Sequence, residues 1–294
     1  MELVHAFIAS MGHYLEMRGF ILNPLPRMET IPQQKEALIH EDGKLLESIG
    51  ERLARFHRAS TGFPVSRRHP LNRIGKWREI WVERLKRIRK FRDALFSQGI
   101  SNELESLFLD NYTYYNQLAQ DALFYLDDYH YPQVVSLSAA YGVLSYRSLS
   151  LDQLEIKGES IGFRHAEDWR LDIPVRDLGH FMRNTFMEKG ELAGAFSFLQ
   201  GYQRVREILP EEYPLLYAIL LFPSEWAGYV EGYYSKNLDP GLGEKQFRSL
   251  LSQEAQKNRF LLHFREKLKE WSGIDLAEIE WLKPTHLREP RRSP

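Results

Sequence analysis

The chain has 294 residues, 43% of them hydrophobic, and a formal net charge of −1. That size and apolar content suffice for a substantial core, and the near-zero charge supplies no global field for nucleic acid or an anionic membrane. Cysteine is absent, which excludes disulfides and thiolate metal sites.

No apolar run reaches the roughly 18 residues that a membrane span needs. The start, Met1-Glu2-Leu3-Val4-His5, lacks the basic region of a signal peptide. In chain order, Val4, Phe7, Ile8, Met11, Tyr14 and Leu15 recur at helical spacing and predict a first helix over 1–18. Short extended pieces are expected around Phe20–Leu25 and Glu36–His40, with Pro24, Pro26 and Pro32 keeping the connection non-helical. His40-Glu41-Asp42-Gly43 reads as a turn and hinge. Lys44–Ala59 reads as a helix with Leu45, Leu46, Ile49, Leu53 and Phe56 on its apolar face.

A loop over Thr61–Leu71 carries Gly62, Pro64 and Pro70. Ile74–Phe96 follows as a long helix whose apolar side is Trp77, Ile80, Trp81, Leu85, Ile88 and Leu95. Its Arg and Lys residues could meet an anionic partner. The bland reading is a solvated face in which Glu79 and Glu83 pair with basic residues four positions on. Asn102–Tyr125 reads as another helix, and 134–165 as the region of short strands. The chain is helical after Pro174, ending in a helix over Glu244–Trp271. Trp226, Tyr229, Tyr233 and Tyr234, with Phe222 a turn earlier, read as core. Lys283–Pro294 is rich in Arg and Pro and reads as a disordered tail.

Three segments carry the chemistry: Ser145-Tyr146-Arg147-Ser148-Leu149-Ser150-Leu151-Asp152, then Phe163-Arg164-His165-Ala166-Glu167-Asp168-Trp169, then Asp172-Ile173-Pro174-Val175-Arg176-Asp177-Leu178. Their order and spacing resemble the catalytic core of aminoglycoside- and choline-kinase-like enzymes. That core runs H-G-D-x-x-x-x-N, then I-D-F/W, then D-x-P-x-x-D-L. On this register the loop His is replaced by Ser145, the catalytic Asp by Arg147, the metal-binding Asn by Asp152 and the metal-binding Asp by His165. Only Asp172 to Leu178 keeps its form. Leu53-Ala54-Arg55-Phe56-His57 is similar to the superfamily's L-A-x-F-H helix. Arg73-Ile74-Gly75-Lys76-Trp77, continuing through Trp81 to Arg84-Leu85, resembles the spore-coat-associated kinase-like proteins of the CotS/YutH type. These matches span roughly residues 1–190.

The resemblance implies an α+β, mainly helical, protein-kinase-like fold of the aminoglycoside phosphotransferase type. Residues 1–42 read as a remnant amino-terminal lobe: no glycine-rich hairpin or lysine strand precedes the first helix, so either the gene start is late or the lobe is truncated. A large helical lobe over 43–282 and the tail over 283–294 complete the expected organisation. The resemblance also implies a spore coat or sporulation association, with other coat or sporulation proteins as partners, while the hydropathy argues against a membrane and the net charge against nucleic acid. The expected location is the mother-cell cytoplasm, with incorporation in the coat.

The substitutions predict lost catalysis. Phosphoryl transfer needs positioned metal ions, charge neutralisation and a carboxylate base. Arginine at position 147 stays charged and cannot accept the proton. Histidine at 165 is a poor magnesium ligand, since hard cations prefer oxygen. Loss of a base alone costs about two to four orders of magnitude in rate. A pseudokinase with no metal, no cofactor and no catalytic residue is therefore expected, Ser145, Arg147, Asp152 and His165 being its degenerate positions. The alternative is an active ATP- and magnesium-dependent phosphotransferase with an altered metal set, using Asp152 and Glu167 or Asp168.

In active relatives the residue matching Asp177 holds the catalytic-loop backbone, and the resemblance carries that scaffold role to Asp177, with Asp172 capping the helix that starts at Pro174. Arg147 and Arg176 could contact an anion or ligand, or Arg147 could pair with Asp152, Asp172 or Asp177. His57 reads as a helix-packing residue.

Overall fold

The structure is a computed structural model that describes residues 2–20, 43–129, 131–157, 160–163, 168–235 and 239–282. It is mostly helical, in two compact units. The first holds helices α1 (Glu2–Met17), α2 (Gly43–Ser60), α5 (Tyr131–Tyr141), α6 (Val175–Met182) and α7 (Leu192–Gln203), four strands, and the start of α8 (Glu212–Leu221). The second holds α3 (Trp77–Gln98), α4 (Glu103–Asp128), the rest of α8, α9 (Ser224–Tyr234) and α10 (Pro240–Ser272). The extended pieces expected within 21–42 and the tail over 283–294 lie outside the described residues.

In the first unit, β1 (Val143–Tyr146) pairs antiparallel with β4 (Trp169–Asp172), and β2 (Leu154–Lys157) with β3 (Ser160–Phe163). The β1–β4 register sets Ser145 opposite Arg170 and Val143 opposite Asp172. Both strands are short and nearly wholly buried, so they present an apolar surface to α2 and a fixed end to the loop after Tyr146. Helix α5 stands immediately before β1, where the sequence suggests only short strands.

Helix α2 buries Leu46, Ile49, Leu53 and Phe56 as expected; Leu45 is only half-buried. It packs tightly on α7 through two glycines. A Cβ at Gly50 would lie 2.1 Å from the Phe198 carbonyl oxygen, and one at Gly201 would lie 1.9 Å from that of Glu47. No side chain fits at either place, so the two backbones meet directly.

In the second unit α3 buries Trp77, Leu85, Ile88, Phe91 and Leu95, while Ile80 is 37% exposed and belongs to the outer face, contrary to expectation. Glu83 pairs with Lys86 three residues on, at 2.7 Å, rather than four. Arg84 and Arg87 both reach Glu231 on α9, at 2.6 and 2.7 Å, so part of the basic face is neutralised by a neighbouring helix. Of the aromatic run, Phe222 and Trp226 are core, Tyr229 and Tyr233 are half-buried, and Tyr234 is 57% exposed. The run spans a core edge because five positions within 13 residues cover more than one helix face.

Candidate functional site: a buried carboxylate behind a degenerate loop

The loop that resembles a catalytic loop begins at the end of β1, and α6 lies behind it. Asp177 sits in the first turn of α6 with no solvent exposure. A buried carboxylate must collect donors, and this one does. Ser145 Oγ donates to Oδ1 at 2.7 Å, and the Tyr146 amide reaches Oδ1 and Oδ2 at 2.9 and 3.1 Å. His57 Nε2 lies 3.1 Å from Oδ2.

The other ring nitrogen of His57 extends the chain. Nδ1 lies 2.7 Å from Tyr202 Oη on α7, and Arg206 donates to that oxygen at 3.3 Å. Arg206 also bonds the buried Glu212 carboxylate, which accepts the Leu209 amide at 3.0 Å. Since a carboxylate only accepts, Nε2 carries the histidine proton, and Nδ1 takes the Tyr202 hydroxyl hydrogen. This neutral tautomer agrees with burial pushing His57 below its ordinary pKa, against the pull of Asp177. Burial raises Tyr202, so the phenol stays protonated. His57 is thus a link between three helices and the loop. Its spacing reads only as packing; Tyr202, Arg206 and Glu212 carried no sequence signal, since the contacts of His57 with Asp177 and Tyr202 span 120 and 145 residues along the chain.

The loop is held from its other side as well. Arg176 donates through Nη2 to the Arg147 carbonyl at 2.8 Å and through Nη1 to Asp172 Oδ2 at 3.3 Å. Asp172 Oδ1 accepts the Ile173 amide at 2.9 Å. The residue at the cap position of α6 is Pro174, which makes no side-chain cap bond, so the expected cap by Asp172 becomes an ion pair with Arg176 instead. A π-helical turn, Arg183–Met187, aims Asn184 at the loop, where it bonds the Leu149 carbonyl at 2.8 Å and Ser148 Oγ at 3.2 Å. Ser150 and Gln153 close a capping box over the 3-10 turn Leu151–Gln153.

Arg147, at the position of the catalytic base, is exposed, and its amide bonds the Asp168 carbonyl at 3.0 Å. The Asp177 oxygens are taken by Ser145, Tyr146 and His57, and Asp172 pairs with Arg176, so neither is the Arg147 partner that the sequence suggested. Arg147 instead lies near Arg170, around which Asp168 is outnumbered by Arg147, Arg73 and Arg176. Burial lowers the pKa of Arg170, and Arg147 lowers it further. His180, bonded to Arg183 at 2.7 Å, is held neutral by burial and then by Arg183 and Arg176. His165 and Glu167 lie outside the described residues. Among the described residues no three His, Asp or Glu side chains are grouped to hold a metal, and no helix is long and apolar enough to cross a membrane.

Residues 30–264 match a family described as spore coat putative kinase YutH. The chain is 29% identical over 239 residues, 80% of its length, to the endospore coat-associated protein YutH of Bacillus subtilis (strain 168), covering 69% of that protein. Its fold is similar to that of an aminoglycoside phosphotransferase from Alicyclobacillus acidocaldarius. The TM-score is 0.66 at 17% identity, over 79% of this chain and 68% of that one. The similarity shows a kinase-like fold of the aminoglycoside phosphotransferase type, as the motif order implied.

Proposed function

Because the chain belongs to the spore coat putative kinase YutH family, we propose that it serves the spore coat as a non-catalytic kinase-like component, binding or assembling other coat or sporulation proteins. One observation carries this reading. The loop is fixed by buried bonds to Asp177, yet it presents the guanidinium of Arg147 where phosphotransfer requires a base. The fold's support for the loop is retained, and the proton acceptor is not.

Arg147, with Arg73, Arg170 and Arg176 behind it, offers a positive face to an acidic group of a partner. The coat association rests on the family and on the name of the Bacillus subtilis relative. A tagged chain should fractionate with the coat extract of mature spores; recovery only from the cytosol of growing cells would remove that part of the reading.

Thermal unfolding with ATP and magnesium, ATP alone and magnesium alone tests the loss of catalysis. A ligand at a hundredfold excess over its Kd adds about 2.7 kcal/mol of stability. The expected result is no magnesium-dependent gain. A clear gain would overturn the proposal in favour of a phosphotransferase using Asp152 with Glu167 or Asp168.

A further inference from the structure

A second positive feature in the first unit has no part in the Asp177 network. It is an open cavity of about 550 Å³ between the end of α1 and one flank of α2. Arg18, Arg52, Arg55 and Arg58 line it, with Phe20 and Ala59. On α2 the arginines recur every third residue, so Arg52, Arg55 and Arg58 share a flank of the helix.

Two of the four guanidiniums are held in place. Arg18 donates to the Thr61 carbonyl at 2.9 Å and lies 4.7 Å from the Tyr14 ring centroid. Arg52 lies 4.1 Å over the ring of the buried Phe20. Both contacts fix the plane of the fork before any ligand arrives, which lowers the ordering cost of binding. Arg55 faces Glu51 at 3.7 Å with 62% of its side chain exposed, a weak pair. Arg58 is exposed.

Four arginines line one volume, in a chain whose net charge is −1. At Arg52 burial lowers the pKa and the neighbouring Arg55 lowers it further. The volume falls within the range of about 300–1,000 Å³ typical of small-molecule sites. Planar forks bind phosphate oxygens two at a time, and an anion with several phosphate groups can meet several of these forks at once.

We propose that this cavity binds a small polyanion bearing several phosphate groups, gripped by Arg18, Arg52, Arg55 and Arg58. The site is separate from the Arg147 loop and does not depend on what that loop does.

The test is isothermal titration of the full chain with sodium tripolyphosphate, without magnesium and at matched ionic strength. Saturable binding at one site is expected, stronger than that of orthophosphate. The double variant Arg55→Gln/Arg58→Gln should weaken it by about tenfold or more, as loss of a charge-assisted contact does. Its unliganded Tm should not fall, because both side chains are exposed. Should that Tm fall, Arg58→Gln alone serves as the variant. Arg147→Gln should bind as the parent does.

Absence of saturable heat at millimolar tripolyphosphate overturns the proposal. So does equal binding by the arginine variants, or loss of binding in Arg147→Gln, which would move the site to the loop. Tighter binding of citrate or polyglutamate than of tripolyphosphate would also overturn it, assigning the cavity to a carboxylate ligand or an acidic protein segment.

Discussion

Asp177 accepts from Ser145 Oγ, the Tyr146 amide and His57 Nε2, all buried. Removing it leaves three donors without an acceptor, and each buried unsatisfied group costs about 1–3 kcal/mol. Asp177→Ala should therefore lose about 3 kcal/mol or more in denaturant unfolding. Ser145→Ala removes one donor while the carboxylate keeps the others, and should cost about 1 kcal/mol. Equal small losses in the two variants would mean that the carboxylate does not support the loop. The motif Asp172-Ile-Pro-Val-Arg-Asp177-Leu178 made Asp177 visible in the sequence. The histidine on its far side was visible only as a packing residue, because a His on an apolar helix face looks the same whether or not it meets a carboxylate.

Elements were legible where periodicity was long, and their edges were not. The apolar spacing of α3 marks its start to within three residues but misphases Ile80, since an apolar residue one turn from Trp77 fits the stripe by spacing alone. Helix α10 starts four residues earlier than expected. There Asp239 caps by accepting the Leu242 amide at 3.0 Å and Pro240 opens the first turn. Gly241 and Gly243 lower the local helix propensity and hide that start. The Gly50–Gly201 approach was not legible at all, because closeness of two helices is a tertiary property. It makes a sharp prediction. A methyl at Gly201 would overlap the Glu47 carbonyl, so Gly201→Ala must push α7 from α2 and should cost about 1–3 kcal/mol. Gly228 is the control: a Cβ there meets only Arg84 Nη2, at 3.6 Å, so Gly228→Ala should not destabilise and should gain helix propensity. Both are read from the denaturation midpoint at unchanged slope, and equal midpoints would remove the close-packing argument.

At the scale of the whole molecule, the order of the motifs carried the fold, and their substitutions carried the expectation of lost catalysis. The polar thread Asp177–His57–Tyr202–Arg206–Glu212 was invisible because its ends come from segments far apart in the chain. That thread has a consequence for global stability. Unfolded His57 takes a proton as the pH falls through about 6.5, its ordinary value. Folded His57 is held below that value by burial, and takes its proton only at lower pH. Below about pH 6.5 the unfolded state therefore binds more protons, and stability falls with falling pH until the folded pKa is passed. One such group contributes a slope of at most about 1.4 kcal/mol per pH unit in that window. Glutamine at position 57 can donate to Asp177 and accept from Tyr202 without titrating. In guanidinium unfolding at stepped pH, His57→Gln should show a shallower acid slope than the parent, by up to that amount. The slope that remains should include the share of His180, which burial and then Arg183 also hold neutral. An unchanged slope in His57→Gln would mean that His57 is not the neutral, buried link between Asp177 and Tyr202.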